Sequence, residues 1–141
     1  MSKQIVYAFI LSTFITFMLA SVAHTQFVLF RLSELGIDIS LWDRLRTTAQ
    51  DMAGMLPKYG AAVAAGLLIA FWVTTVLRRK GIITHSLWFA VAGGVAMMSI
   101  LLAMHPYIDA HLLVGARGPL GFAAQCAAGV AGGWVFGRLS R

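Results

Sequence analysis

Long apolar runs alternate with short polar segments along the whole chain. Four of these runs are long enough to cross a membrane as helices, since a span needs about 20 mostly apolar residues. They cover residues 5–30, 59–77, 82–104 and 119–139. Helices satisfy their own backbone hydrogen bonds within lipid. The pattern therefore predicts an all-α integral membrane protein, a single domain over residues 1–141 whose four helices form an up-down-up-down bundle.

A different pattern lies between the first two runs. Apolar residues recur at helical spacing over residues 41–56, and charged residues fill the other faces. Ser40, followed three positions later by Asp43, resembles a capping box. The segment therefore predicts an amphipathic helix in the outer membrane interface, anchored by Trp42. Two roles remain open: a lid or lipid-sensing surface over the bundle, or a connector that only hides its apolar stripe.

The first run also has features of a secretory signal. Lys3 precedes it, and residues 20–23 are small, as at a cleavage site. The apolar run continues beyond that site to Phe30, which favours a retained spanning helix over a cleaved leader.

Composition excludes several classes of protein. Sixty per cent of the residues are hydrophobic and 11% are charged, against about 25% charged in soluble domains. This composition argues against a water-soluble globular fold and against intrinsic disorder. The single cysteine, Cys126, excludes an intrachain disulfide. The net charge is +6, and the basic residues lie in short segments between the apolar runs. This distribution is typical of residues that set the orientation of a membrane protein, not of a nucleic-acid-binding surface.

The basic residues predict the topology. Four spans place six of them with the two termini, and five on the other side. The first group is Lys3, Arg78, Arg79, Lys80, Arg138 and Arg141; the second is Arg31, Arg44, Arg46, Lys58 and Arg117. The cluster at residues 78–80 favours both termini in the cytoplasm, which in a bacterium means a multi-pass protein of the inner membrane. The near balance leaves dual topology open.

Aromatic residues agree with this orientation. Trp72, Trp88 and Trp134 lie near the predicted inner ends of helices, and Tyr59 and Tyr107 near the outer ends. Tryptophan and tyrosine are enriched at both membrane interfaces.

Glycines of the fourth run recur at multiples of four residues. They are Gly121, Gly129, Gly133 and Gly137. Small residues at this spacing let helix backbones approach closely in lipid. We expect a packing seam, closed either within one bundle or between the protomers of a homo-oligomer or a complex with another membrane protein.

Polar residues within the runs are candidates for a ligand site. Gln125 lies inside the fourth run and needs a hydrogen-bond partner there. Ser12, Thr13 and Thr16 of the first run are candidate partners. This polar interior predicts either interhelical hydrogen bonding or a ligand or ion pathway. Arg117, before the fourth run, either holds an anion or anchors the helix at the interface.

Three histidines and one acid are predicted to gather at the outer side. They are His24, His105, Asp109 and His111. Imidazole and carboxylate groups bind transition metals, and two facing histidines can ligate haem. The alternative is that these side chains hydrogen-bond to lipid and water at the interface.

No catalytic motif is visible in the sequence. It contains no HExxH, no phosphate-binding loop and no acidic residue within a predicted span. We therefore expect a non-enzymatic binding, assembly or permeation module in the lipid bilayer. The alternative is a redox or metal- or haem-binding membrane protein that uses the outer histidines.

Overall fold

The computed structural model describes residues 3–104 and 119–140, in which helices are joined by short turns and no strand is present. Its helices are α1 (Lys3–Glu34), α2 (Leu41–Met55), α3 (Ala61–Arg79), α4 (Leu87–Met104) and α5 (Pro119–Leu139), with a π-helical turn at Leu56–Gly60. Four helical stretches are long and apolar enough to cross a membrane: α1, the joined α2 and α3, α4 and α5. This confirms the predicted all-helical class and the four candidate spans.

The helices α2 and α3 are joined without a break. The sequence predicts two elements separated near Pro57, but the structure has one continuous helix of 39 residues, Leu41–Arg79. Proline removes one backbone donor and crowds the preceding turn of an α-helix. Here the wider π turn contains Pro57, so the helix continues through it. The helix is about 58 Å long, roughly twice the thickness of the hydrocarbon core of a bilayer.

Neighbouring helices in the bundle are antiparallel. Gly137 of α5 approaches Ser86, and Gly129 approaches Gly93 of α4, so the two helices run in opposite directions. The same reversal holds between α1 and α5, α1 and α3, and α3 and α4. The helices α4 and α1 flank α5, and α3 lies between α4 and α1.

Two ends of the bundle are distinguished below. At the terminal end α1 and α4 begin, while α3 and α5 finish. At the distal end α1 and α4 finish, α5 begins, and α2 approaches the bundle. The tryptophans Trp72, Trp88 and Trp134 are all exposed near the terminal end. The guanidinium carbon of Arg138 lies 4.3 Å from the ring centroid of Trp134.

Glycines bring α4 and α5 into backbone contact. A Cβ atom on Gly93 would overlap the carbonyl oxygen of Gly129, and one on Gly133 would overlap that of Phe89. A Cβ atom on Gly137 would lie 2.6 Å from the carbonyl oxygen of Ser86. The glycine seam is therefore closed within one chain. Gly121 is also buried, nearer the distal end.

Four phenylalanines fill the terminal half of the bundle. One comes from each of α1, α3, α4 and α5: Phe9, Phe71, Phe89 and Phe136. The rings of Phe71 and Phe136 are stacked with centroids 4.3 Å apart, and Phe89 packs at 5.2 Å from Phe136. This phenylalanine cluster packs the terminal half closely, beside buried hydroxyls such as those of Ser12 and Thr74 that bond within their own helices.

Candidate ligand site

Gln125 connects three helical segments in the distal half. Its Oε1 accepts a hydrogen bond of 2.6 Å from the Tyr59 hydroxyl, and its Nε2 donates one of 2.9 Å to the carbonyl oxygen of Ala20. Gln125 is 1% exposed and Tyr59 is 2% exposed. These contacts join α5, the π turn and α1 in what we call the Gln125 layer.

The partners of Gln125 differ from those the sequence suggests. Thr16 donates to the carbonyl oxygen of Ser12, within its own helix, and Ser12 bonds back in the same way. The Oγ1 atom of Thr13 is buried and has no hydrogen-bond partner. The reason is register: Gln125 meets α1 one turn further on, at Ala20, whereas Thr16 lies against Gly132.

Tyr59 does not act as an interface anchor at the helix end. Its ring is buried beside Phe17, with centroids 6.4 Å apart, and its hydroxyl reaches inward to Gln125. A buried tyrosine normally directs its hydroxyl to a polar partner. A partner for Gln125 could therefore have been sought among the tyrosines as well as among the hydroxyls of α1.

Two polar side chains of α1 lie just beyond this layer, toward the distal end. Ser21 is fully buried and His24 is 6% exposed. The Oγ atom of Ser21 and the Nδ1 atom of His24 have no hydrogen-bond partner. Residues three apart on a helix are neighbours on its surface. Each buried polar atom without a partner destabilises a fold by about 1–3 kcal/mol, which a bound molecule can recover.

A carboxylate of α2 faces the same part of α1. The Thr25 hydroxyl lies 3.2 Å from Oδ2 of Asp51 and 3.2 Å from the carbonyl oxygen of Ser21. Asp51 is half-buried and interacts electrostatically with His24. Among the described residues, it has no hydrogen-bond or ion-pair partner besides Thr25. The next residue of α1, Gln26, donates a long hydrogen bond of 3.5 Å to Thr48, which lies about one turn before Asp51 on α2.

We call the group of Ser21, His24, Thr25 and Asp51 the distal polar site. It offers a hydroxyl and an imidazole nitrogen that are both unpartnered, and a carboxylate at its edge. Such a set can hold the polar group of a small molecule. No set of three or more His, Cys, Asp or Glu residues that could hold a metal ion is found within residues 3–104 and 119–140.

The remaining predicted site residues are His105, Asp109, His111 and Arg117. They lie outside the described residues. Their grouping with His24 around a metal or haem therefore stays a prediction.

No family model, curated protein or solved structure matches this chain. A helical bundle hosts many unrelated activities, so the fold does not indicate one. Function is inferred below from the chemistry of the distal polar site.

Proposed function

We propose that this protein is a multi-pass membrane protein that acts as a non-enzymatic binding module for a small amphiphile. The polar group of the amphiphile enters the distal polar site. The supporting observation is that Ser21 Oγ and His24 Nδ1 are buried, neighbouring and without partners. Because the protein itself shields these atoms from solvent, a ligand that bonds to both gains more than it would at an aqueous surface.

The proposed topology places both termini in the cytoplasm, and the membrane is the inner membrane if the chain is bacterial. The basic residues Lys3, Arg78, Arg79 and Arg138 at the terminal end support this orientation. The distal polar site then lies in the outer half of the bundle. With α3 spanning the hydrocarbon, α2 extends beyond it, and the exposed Trp42 lies outside the hydrocarbon. Any oligomer uses another face than the glycine seam, since that seam is occupied within the chain.

The test is to identify what purifies with the protein. The full chain is isolated in mild detergent, and bound amphiphiles are measured by native mass spectrometry and extraction. We expect one bound amphiphile in the unaltered protein and loss of most of it in Ser21→Ala and His24→Leu. Thr13→Val is the matched control, because Thr13 is an unpartnered buried hydroxyl about two turns away from the site. Equal occupancy in all four proteins would overturn the proposal.

A second candidate is a metal or haem protein in which His24 is one ligand. The observation that favours it is the unpartnered Nδ1 of a buried imidazole, which is available for coordination. His105, Asp109 and His111 would supply the other ligands. A Soret band or stoichiometric metal that disappears in His24→Ala would support this function. A spectrum of protein alone, with no metal by elemental analysis, would exclude it.

A further inference from the structure

We infer that the distal polar site recognises a primary ammonium group. This inference rests on the proposed function and names the chemistry of the ligand. The three groups that carry it are the Ser21 hydroxyl, the His24 imidazole and the Asp51 carboxylate.

The number of available acceptors matches the number of ammonium donors. A primary ammonium group has three N–H donors and no acceptor. The Ser21 oxygen has free lone pairs, and His24 Nδ1 accepts when the imidazole proton is on Nε2. The Asp51 carboxylate supplies the third acceptor, since Thr25 occupies only one of its oxygens. Ser21 and His24 share one turn of α1, and Thr25 holds Asp51 against that same turn.

The charge of the site also favours an ammonium group. Asp51 is half-buried, and no cation pairs with it in the described part of the chain. In particular, Arg44 and Lys58 of the same continuous helix make no ion pair with it. A headgroup that carries only negative charge, such as a fatty-acid carboxylate, would be repelled by this carboxylate, and a neutral headgroup would gain no charge attraction from it. A cationic ligand is therefore favoured over the other headgroup classes.

The surroundings favour a primary amine over a quaternary one. On the terminal side, the Gln125 layer closes the site with polar atoms that already have partners. Leu29, four residues after Thr25, and Met55, four residues after Asp51, are buried apolar neighbours along the same helix faces. A trimethylammonium group is bulkier and has no N–H, so it cannot bond to Ser21 or His24.

Two sources offer a primary ammonium group: the headgroup of phosphatidylethanolamine and a free amine. The full chain in detergent is titrated with phosphatidylethanolamine, with phosphatidylcholine of identical acyl chains, and with ethanolamine. We expect phosphatidylethanolamine or ethanolamine to bind at least about tenfold more tightly than phosphatidylcholine, as charge-assisted hydrogen bonds imply. Saturation by ethanolamine alone identifies a free amine as the ligand, whereas binding of the lipid only identifies the headgroup. Both outcomes support the ammonium site.

Variants separate this inference from the proposed function. Asp51→Asn is expected to remove the tenfold preference, and Asp51→Glu to restore part of it. Asp38→Asn removes an exposed carboxylate before α2 and should change nothing. Equal affinity for the two lipids, or an unchanged preference in Asp51→Asn, would overturn the ammonium site. If the ammonium site is overturned but Ser21→Ala still weakens the binding of both lipids, the proposed binding function stands. If no amphiphile binds to the unaltered protein, the ammonium site and the proposed function both fail.

Discussion

The hydroxyl of Tyr59 lies 2.6 Å from Oε1 of Gln125, although the two residues are 66 positions apart in the chain. Tyr59 belongs to the same π turn as Pro57, so the irregularity in the long helix and the buried polar contact occur together. Single π turns inside α-helices are often found at functional sites. Here the turn adjoins the distal polar site through the bond of Gln125 to Ala20.

Removing the Tyr59 hydroxyl should destabilise the bundle. Tyr59→Phe leaves Oε1 of Gln125 without its donor, so we expect the free energy of unfolding to fall by about 1–3 kcal/mol. Thermal unfolding in detergent, followed by circular dichroism, measures the change. Tyr7→Phe is the control, because Tyr7 is 63% exposed. The double variant with Gln125→Leu should lose less than the sum of the two single changes, and simple additivity would contradict the bond.

A Gly→Ala substitution should destabilise the protein when the glycine belongs to the glycine seam and not when it has no neighbours. Gly133→Ala places a Cβ atom against the carbonyl oxygen of Phe89 and should lower the free energy of unfolding by about 1–3 kcal/mol. Gly54→Ala is the same chemical change in α2, where no atom lies within 4 Å of the new Cβ, and it should be neutral or stabilising. Denaturation of the two variants side by side is the measurement. Equal stability would show that the α4–α5 backbone contact contributes nothing.

The phenylalanine cluster should dominate the stability of the terminal half. Phe71 touches Phe9, Phe89 and Phe136, so Phe71→Ala should cost about 3–5 kcal/mol. Phe14→Ala removes an equal volume from a side chain that is 58% exposed and serves as the control. The midpoints of thermal unfolding compare them. A loss as large in Phe14→Ala would mean that surface packing, not the cluster, determines stability.

Thr25 should hold α2 against α1. Thr25→Val removes the hydroxyl that bonds to Asp51, so we expect faster hydrogen exchange at the amides of α2 and little change in α4. Thr75→Val is the matched control, because the Thr75 hydroxyl bonds only to the carbonyl oxygen of Phe71 in its own helix. Hydrogen–deuterium exchange with mass spectrometry resolves the two regions. Unchanged exchange in α2 would show that other contacts hold it in place.

Hydropathy alone predicts most of this fold. Each apolar run is long enough to be a helix, and the observed α1 and α5 lie close to the predicted ranges 5–30 and 119–139. The break expected near Pro57 is absent, because a π turn accommodates a proline that an α-helical turn would not. Sequence periodicity does not distinguish these two outcomes, since the apolar pattern on either side of Pro57 is the same in both.

The site is only partly readable from the sequence. His24 and Gln125 stand out because they are polar residues in apolar runs. The partner of Gln125 depends on the axial offset between α1 and α5, and a shift of one turn exchanges Thr16 for Ala20. Asp51 is missed because its contact with Thr25 requires α2 to pack along α1, whereas the amphipathic pattern favours an element lying in the interface.

Different contacts stabilise the two halves of the bundle, and the two halves should therefore differ in rigidity. At the terminal end, the rings of Phe71 and Phe136 stack, and the backbone of Gly133 touches that of Phe89. The distal half combines buried apolar side chains, among them Phe17, Met55 and Tyr59, with hydrogen bonds between helical segments. Because a hydrogen bond can be exchanged for one to water or to a ligand, whereas stacked rings have no such substitute, we expect the distal end to open before the terminal end.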